Sequence, residues 1–326
     1  MHVILLLLLL VPMCARGDAR AFLAWLPDAL FPISPKRSVE DLPQDRVSNE
    51  IRYGFELFRN TALYLGPQGS VGQYLGNRTN CQNCHLDAGT RLFGGSLRSA
   101  HGSYPQYRDR NANFITLSDR INQCIERPHH GRPLPLDGRE IKALMLYMRW
   151  LGESTTVGER LIGDDLLEPP LLARAASPEK GRHVFATHCA RCHGDNGEGK
   201  LLDHRAYLYP PLWGPESFSI GSSMHRVRKA AAFIKYNMPF GTSWKKPLLT
   251  DEEAYDVAAF IDDDRIHPRP LVDISHDYPD LIDKPLDYAY GPFNDPFSEE
   301  EHKFGPFEPI HRFRKGKGTV IAFKKQ

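Results

Sequence analysis

Apolar residues fall at positions 51, 55, 58 and 62 in SNEIRYGFELFRNTALYLG, the spacing of one face of a helix. Three further stretches carry helix-start signals. Ser177-Pro178-Glu179-Lys180 sets an N-cap serine before a proline at the first helical position and leads into Gly181-Arg182-His183-Val184-Phe185. Asp137-Gly138-Arg139-Glu140 ahead of IKALMLYMRWLG, and Thr250-Asp251-Glu252-Glu253 ahead of AYDVAAFIDD, read as capping boxes that open amphipathic helices. Helix, long loop, helix thus occurs twice. The repeat predicts an all-α chain with domains at 38–152 and 177–266, joined by a linker at 153–176.

The two ends follow other patterns. MHVILLLLLLVPMCARGDARA has an apolar run too short to span a bilayer comfortably, followed by small residues Ala15, Gly17 and Ala19. Residues 1–19 read as a secretory signal, which predicts a periplasmic protein. An uncleaved anchor is the alternative, and Met13 before Cys14 argues against lipidation. Residues 267–326 are rich in Pro, Asp and Tyr, and their many aromatics argue against free disorder. They are expected to form an extended tail wrapping the domains. The basic end His311-Arg312-Phe313-Arg314-Lys315-Gly316-Lys317 reads as solvated, with a docking patch for an acidic partner as the alternative. Charge otherwise alters little: the formal net charge is +1, so no broad nucleic-acid surface is expected.

Cysteine usage alters much more. Of six cysteines, Cys14 lies in the signal and four form Cys81-Gln82-Asn83-Cys84-His85 and Cys189-Ala190-Arg191-Cys192-His193. C-x-x-C-H is the attachment motif of c-type haem: two thiols reach the two vinyl groups of one porphyrin, and the adjacent histidine becomes the proximal iron ligand. Zinc would need two more ligands at short spacing, and a redox disulfide a βαβ context; neither is evident. Two covalently bound haems are expected, with His85 and His193 as proximal ligands. Each half then has the plan of a class I cytochrome c domain, whose terminal helices cross beside the haem.

Each iron needs a sixth ligand or an open site. In the second half Met238, in Tyr236-Asn237-Met238-Pro239-Phe240-Gly241, lies 12 residues before the Thr250 cap; Met224, His225 and Lys235 are alternatives. The first half has no Met or Lys between His85 and Asp137, leaving Cys124, His101, His129 and His130. Cys124 lies 13 residues before Asp137, nearly where Met238 lies relative to its own closing helix. Its thiolate is therefore expected on the first iron. The adjacent His129-His130, on a Gly/Pro loop, are expected to face solvent. An anionic thiolate lowers a haem potential and a neutral thioether raises it, so electrons would run from the first haem to the second.

The loop approaching Cys124, YPQYRDRNANFITLSDRINQCIERP, holds Arg108, Arg110, Arg120 and Arg127. Arginine suits multi-point binding of oxyanions; contacts to haem propionates or plain exposure are the other readings. Beside a haem-bound thiolate, these arginines suggest a small dianionic sulfur substrate.

HLDAGT after Cys84, PQYRDR, DRINQCIERP, the PLP before Asp137, NMPFG, DYPDLIDKP and FSEEEHKFGPF together resemble the dihaem thiosulfate dehydrogenase/tetrathionate reductase family, over about residues 45–310. The resemblance implies an oxidoreductase that couples two thiosulfates to tetrathionate with release of two electrons, or runs the reverse. It implies His85/Cys124 ligation at a catalytic first haem and His193/Met238 ligation at the second. It also implies catalytic roles for Cys124, Arg110 and Arg120, and a small c-type cytochrome or similar redox protein as electron partner. Arg108 and Arg127 are weaker substrate-binding expectations. Pro128-His129-His130-Gly131 departs from the family's Ser and Asn-Gly turn and alters part of the pocket. The rival readings are a dihaem shuttle without substrate chemistry and a dihaem peroxidase, which would need an open or His-ligated low-potential haem.

Overall fold

The computed structural model describes residues 38–324, with side chains to residue 316; the expected signal segment and Cys14 lie outside them. The architecture is helical, with two short antiparallel hairpins, β1 (Gln106–Arg108) with β2 (Asn113–Ile115) and β3 (Lys200–Asp203) with β4 (Ala206–Tyr209).

The first half opens with α1 (Arg46–Arg59), capped by Asp45, whose carboxylate accepts the Ser48 N–H at 2.9 Å. α2 (Leu117–Glu126) has a capping box between Thr116 and Asp119 and carries Cys124 in its last turn. α3 (Arg139–Leu151) closes the half. Its expected capping box is absent: the N-cap is Gly138, without a side-chain bond. A turn from Gly138 N–H to the Pro135 carbonyl sets the helix start instead. The second half runs α4 (Pro178–His188), α5 (Val227–Asn237) and α6 (Asp251–Asp262), with the Ser177 cap and the Thr250/Glu253 capping box formed as expected.

In each half the first and last helices cross backbone against backbone. A Cβ added to Gly54 on α1 would come 2.0 Å from the Ala143 carbonyl oxygen on α3; one added to Gly181 on α4 would come 1.9 Å from the Asp256 carbonyl oxygen on α6. Only glycine permits that approach. It lets Leu57, Phe58, Ile141 and Leu144 bury against one another, at about 2 kcal/mol each for leaving water. Phe185, Val257, Phe260 and Ile261 do the same in the second half.

The tail is more structured than expected. Turns and bends run from 263 to 298, and then the chain forms α7 (Glu299–Phe304), opened by a Ser298/Glu301 capping box, and α8 (Phe307–Lys324). Phe304, Phe307 and Ile310 pack on Ala254, Tyr255 and Ala258 of α6. This explains why α6 is buried around nearly its whole girth: one face meets α4 and the other the tail. Arg314, expected to be solvated, pairs with Asp295 at 2.7 Å and is largely covered, because α8 lies along the tail rather than leaving it.

The halves dock through polar contacts. Asn77 Nδ2 donates to the Ser217 carbonyl (3.2 Å), Ser219 N–H to the Pro128 carbonyl (3.2 Å), and Asn237 Nδ2 to the Phe93 carbonyl (3.0 Å). The linker folds back on the first half, where Asp164 is buried against Arg98 at 3.0 Å and accepts Ser96 Oγ at 2.7 Å. Among the described residues, no helix is long and apolar enough to cross a membrane.

Candidate functional site

The two C-x-x-C-H segments are presented alike. His85 follows the turn Cys81–Asn83, and its Nδ1 lies 2.6 Å from the Gly95 carbonyl; His193 ends the short helix Ala190–His193, and its Nδ1 lies 2.8 Å from the Pro210 carbonyl. A carbonyl only accepts, so Nδ1 carries the proton in both rings and Nε2 keeps its lone pair for a metal. The residues therefore fit a haem iron on the Nε2 side. Gly95 must be glycine in part because a Cβ there would meet the Cys84 carbonyl oxygen at 2.6 Å.

Around His85 a cavity of about 290 Å³ is lined by Phe58, Cys81, Cys84, Arg108, Arg120 and Cys124, among others. Its wall is apolar on the α1 and α3 side, through Phe58, Leu144 and Met148, while α2 adds Arg120 and Cys124 among Leu117, Ile121 and Ile125, which suits a flat amphipathic group. The linker contributes Arg160, Asp164 and Asp165 to its rim. Cys124 and His85 line the same cavity. Among the described residues, no group of three or more His, Cys, Asp or Glu side chains converges as a zinc site would need.

Electrostatics separate Cys124 from the attachment cysteines. Burial pushes the free thiols up, Cys81 to about 11 and Cys84 and Cys189 to about 12. Burial also pushes Cys124 up, but Arg120, the His85 hydrogen bond and Arg108 together bring it down to about 7. Arg120 is half-buried, and its pKa is raised chiefly by the charge of Cys124, with Tyr104 adding to the rise. Arg108 Nη1 donates to Gln106 Oε1 at 3.1 Å from β1.

The four arginines divide into two pairs. Arg120 and Arg108 line the Cys124 cavity. Arg110, expected as a catalytic residue, points to the tail: its Nε lies 3.1 Å from Asp277 Oδ2, its Nη1 donates to the Gly221 carbonyl at 3.0 Å, and its guanidinium lies over Tyr278 and Tyr288. Arg127 Nη2 pairs with Asp277 Oδ1 at 2.7 Å. Arg108 ends β1 and Arg110 lies within the turn that joins it to β2, where the chain reverses, and the two side chains go to different partners. Asp277 was not singled out by the sequence. Its one signal is an acidic, tyrosine-rich tail set against an arginine-rich loop.

The histidines of the first half are otherwise engaged or remote. His129 is buried rather than solvent-facing, because Asn77 Oδ1 and Thr79 Oγ1 hold its Nδ1 at 3.0 Å each. It borders the cavity, whereas His101 and His130 do not. In the second half Lys235 Nζ is taken up by the Leu249 carbonyl (2.9 Å) and Asp251 (2.8 Å), and His225 by Asp264 and Lys303. Met238, half-buried, caps α5, and Asn237 before it is anchored to Phe93 in the first half. The Tyr209 ring lies beside His193, 6.4 Å between centroids, and Phe185, Trp213 and Phe260 are in mutual contact in the same half.

Two family patterns match: "SoxA/TsdA, cytochrome c domain" over residues 74–157, and "Cytochrome c" over residues 178–263. The chain is 38% identical to thiosulfate dehydrogenase of Allochromatium vinosum, over 67% of this chain and 80% of that protein. It is 36% identical to thiosulfate dehydrogenase of Stutzerimonas stutzeri, over 70% and 72%. Among solved structures it resembles the thiosulfate dehydrogenase TsdBA of Marichromatium purpuratum, with a TM-score of 0.67 and 32% identity; the match covers 80% of this chain and 54% of that one. The protein thus has two cytochrome c domains, each carrying one covalently bound haem. A crossed-helix frame repeated around two C-x-x-C-H motifs, and relatives that share it along most of their length, make this chain a member of the thiosulfate dehydrogenase family.

Proposed function

We infer that the protein couples two thiosulfate anions to tetrathionate at the first haem domain and delivers the two electrons through the second. The observation that carries this reading is Cys124: half-buried, it lines one cavity with His85, Arg108 and Arg120, whose positive charge favours its thiolate. A pure electron carrier has no use for an acidified thiol among guanidinium groups.

Cys81, Cys84, His85 and Cys124 would hold the first haem; Cys189, Cys192, His193 and Met238 would hold the second. Each bound haem supplies a one-electron acceptor. The protein's own groups do the rest. Arg120 and Arg108 draw the sulfonate oxygens of thiosulfate into the cavity and offset repulsion between two dianions. Cys124, as thiolate, forms a bond to the sulfane sulfur of one thiosulfate, giving Cys–S–S–SO3⁻ as two electrons leave. The sulfane sulfur of a second thiosulfate attacks that disulfide at its outer sulfur. Tetrathionate departs and the Cys124 thiolate returns. Atoms and charge balance: two thiosulfates, 4− in total, give one tetrathionate, 2−, and two electrons. The same steps reversed reduce tetrathionate.

The electron partner is read as a small acidic redox protein. Phe240, 91% exposed, stands two residues after Met238, and exposed Lys245 and Lys246 share its loop, an apolar tip with positive flanks. The signal-like N-terminus supports export to the periplasm. Titration of the purified dihaem protein with thiosulfate, followed in the haem bands, tests the whole. Reduction of haem with tetrathionate appearing at one per two electrons is the expected result. A protein that ignores thiosulfate yet exchanges electrons with a cytochrome is a shuttle.

A further inference from the structure

We propose that Asp277, on the C-terminal tail, is a positioning residue of the first haem domain: its carboxylate holds Arg110 and Arg127 against the tail and so sets how much positive charge an anion meets beside Cys124. The proposal rests on the functional reading above and deepens it.

The carboxylate is 2% exposed on its side chain and bridges the two guanidiniums, Oδ2 to Arg110 Nε (3.1 Å) and Oδ1 to Arg127 Nη2 (2.7 Å). Tyr288 OH donates to Oδ2 at 2.8 Å, and Tyr278 N–H donates to the Arg110 carbonyl at 2.9 Å. Arg110 also reaches Gly221 in the second half, so one carboxylate pins the loop, the second domain and the tail together. The assembly adjoins the cavity of Cys124: Arg127 immediately precedes Pro128 and Arg110 lies two residues past Arg108, and both Pro128 and Arg108 line that cavity. Tail docking does not need this charge, since Phe304, Phe307 and Ile310 already anchor the tail on α6.

The charge balance of the reaction gives the arrangement its purpose. Four guanidiniums beside one thiolate would favour dianion entry but also retain a dianionic product. Asp277 removes two of them from the cavity and offsets one charge, leaving Arg120 and Arg108 to bind. Catalysis gains nothing from holding substrate and product more tightly than turnover allows.

The test uses the full-length dihaem protein. Asp277→Asn frees two guanidiniums: KM for thiosulfate is expected to fall about three- to tenfold and to become more salt-dependent, while kcat falls as tetrathionate leaves more slowly. The midpoint potential of the first haem moves positive and that of the second stays, a split that loss of tail packing alone does not produce. Asp277→Glu restores the wild-type values. Arg127→Gln gives the opposite sign, a higher KM and a more negative first potential, and serves alone should Asp277→Asn fail to accumulate with two haems. Unchanged KM and first potential in Asp277→Asn, or unchanged values in Arg127→Gln, overturn the proposal. A shifted first potential in a protein that never turns over thiosulfate upholds the role of Asp277 and sinks the functional reading instead.

Discussion

The two haem domains share a frame and differ in what faces the haem. Both cross their terminal helices at a glycine pressed on a carbonyl, and both turn a histidine Nδ1 to a backbone carbonyl so that Nε2 is free. In the first, the far side of the cavity holds Cys124, Arg120 and Arg108. In the second, the ring beside His193 is that of Tyr209, and Phe185, Trp213 and Phe260 pack on one another. A frame that only holds a haem is thus neutral toward chemistry. The loop and helix opposite the proximal histidine decide whether a domain reacts or conducts.

The largest expected effect separates these roles. Cys124→Ala should lower thiosulfate kcat/KM by about 10³-fold or more with two haems still attached, as loss of a nucleophile does. Met238→Ala should instead leave thiosulfate able to reduce the first haem and slow delivery to the acceptor. Stopped-flow spectra resolve the two steps, and equal loss in both variants would break the distinction.

The shared frame predicts equal penalties. Gly54→Ala and Gly181→Ala should each cost about 3 kcal/mol, the upper range for overpacking, because the obstructing atom is backbone. Denaturant unfolding of the paired variants checks the symmetry. The contact between domains is weaker. Asn237→Ala removes donors to the Phe93 and Phe233 carbonyls and should cost about 1–2 kcal/mol, with calorimetry showing the two halves unfolding less cooperatively.

Acid sensitivity belongs to the second half. Burial, then Lys303, hold His225 at about 3 against an ordinary 6.5, with Asp264 opposing and Arg269 adding to the depression; the Tyr290 ring stacks on it. A depressed histidine pKa means the unfolded chain binds the proton first. The stability it contributes is present above pH 6.5 and is lost as pH falls toward 3. His225→Asn should flatten the fall in urea stability between pH 6.5 and 4.

Much of the frame was legible because it depends on local signals. Helix periodicity, the Ser177 and Thr250 caps and the two haem motifs are each read within a few residues. The failures share a cause. Asp137 looked like a cap until a turn at Pro135 displaced the helix start, and His129 looked solvent-facing until Asn77 and Thr79, some 50 residues away, buried it. Arg110 was expected to be catalytic and Arg108 a weaker substrate-binding residue, whereas the folded chain sets Arg108 in the cavity wall and Arg110 against the tail.

By itself the sequence determined that two haems attach, at which two motifs, and that one cysteine is left over, since C-x-x-C-H chemistry needs only neighbouring residues. Tertiary structure decided which arginines accompany that cysteine and which are held back by a carboxylate 150 residues from Arg127. Coulomb interactions act through space, and which charges meet depends on how distant segments pack.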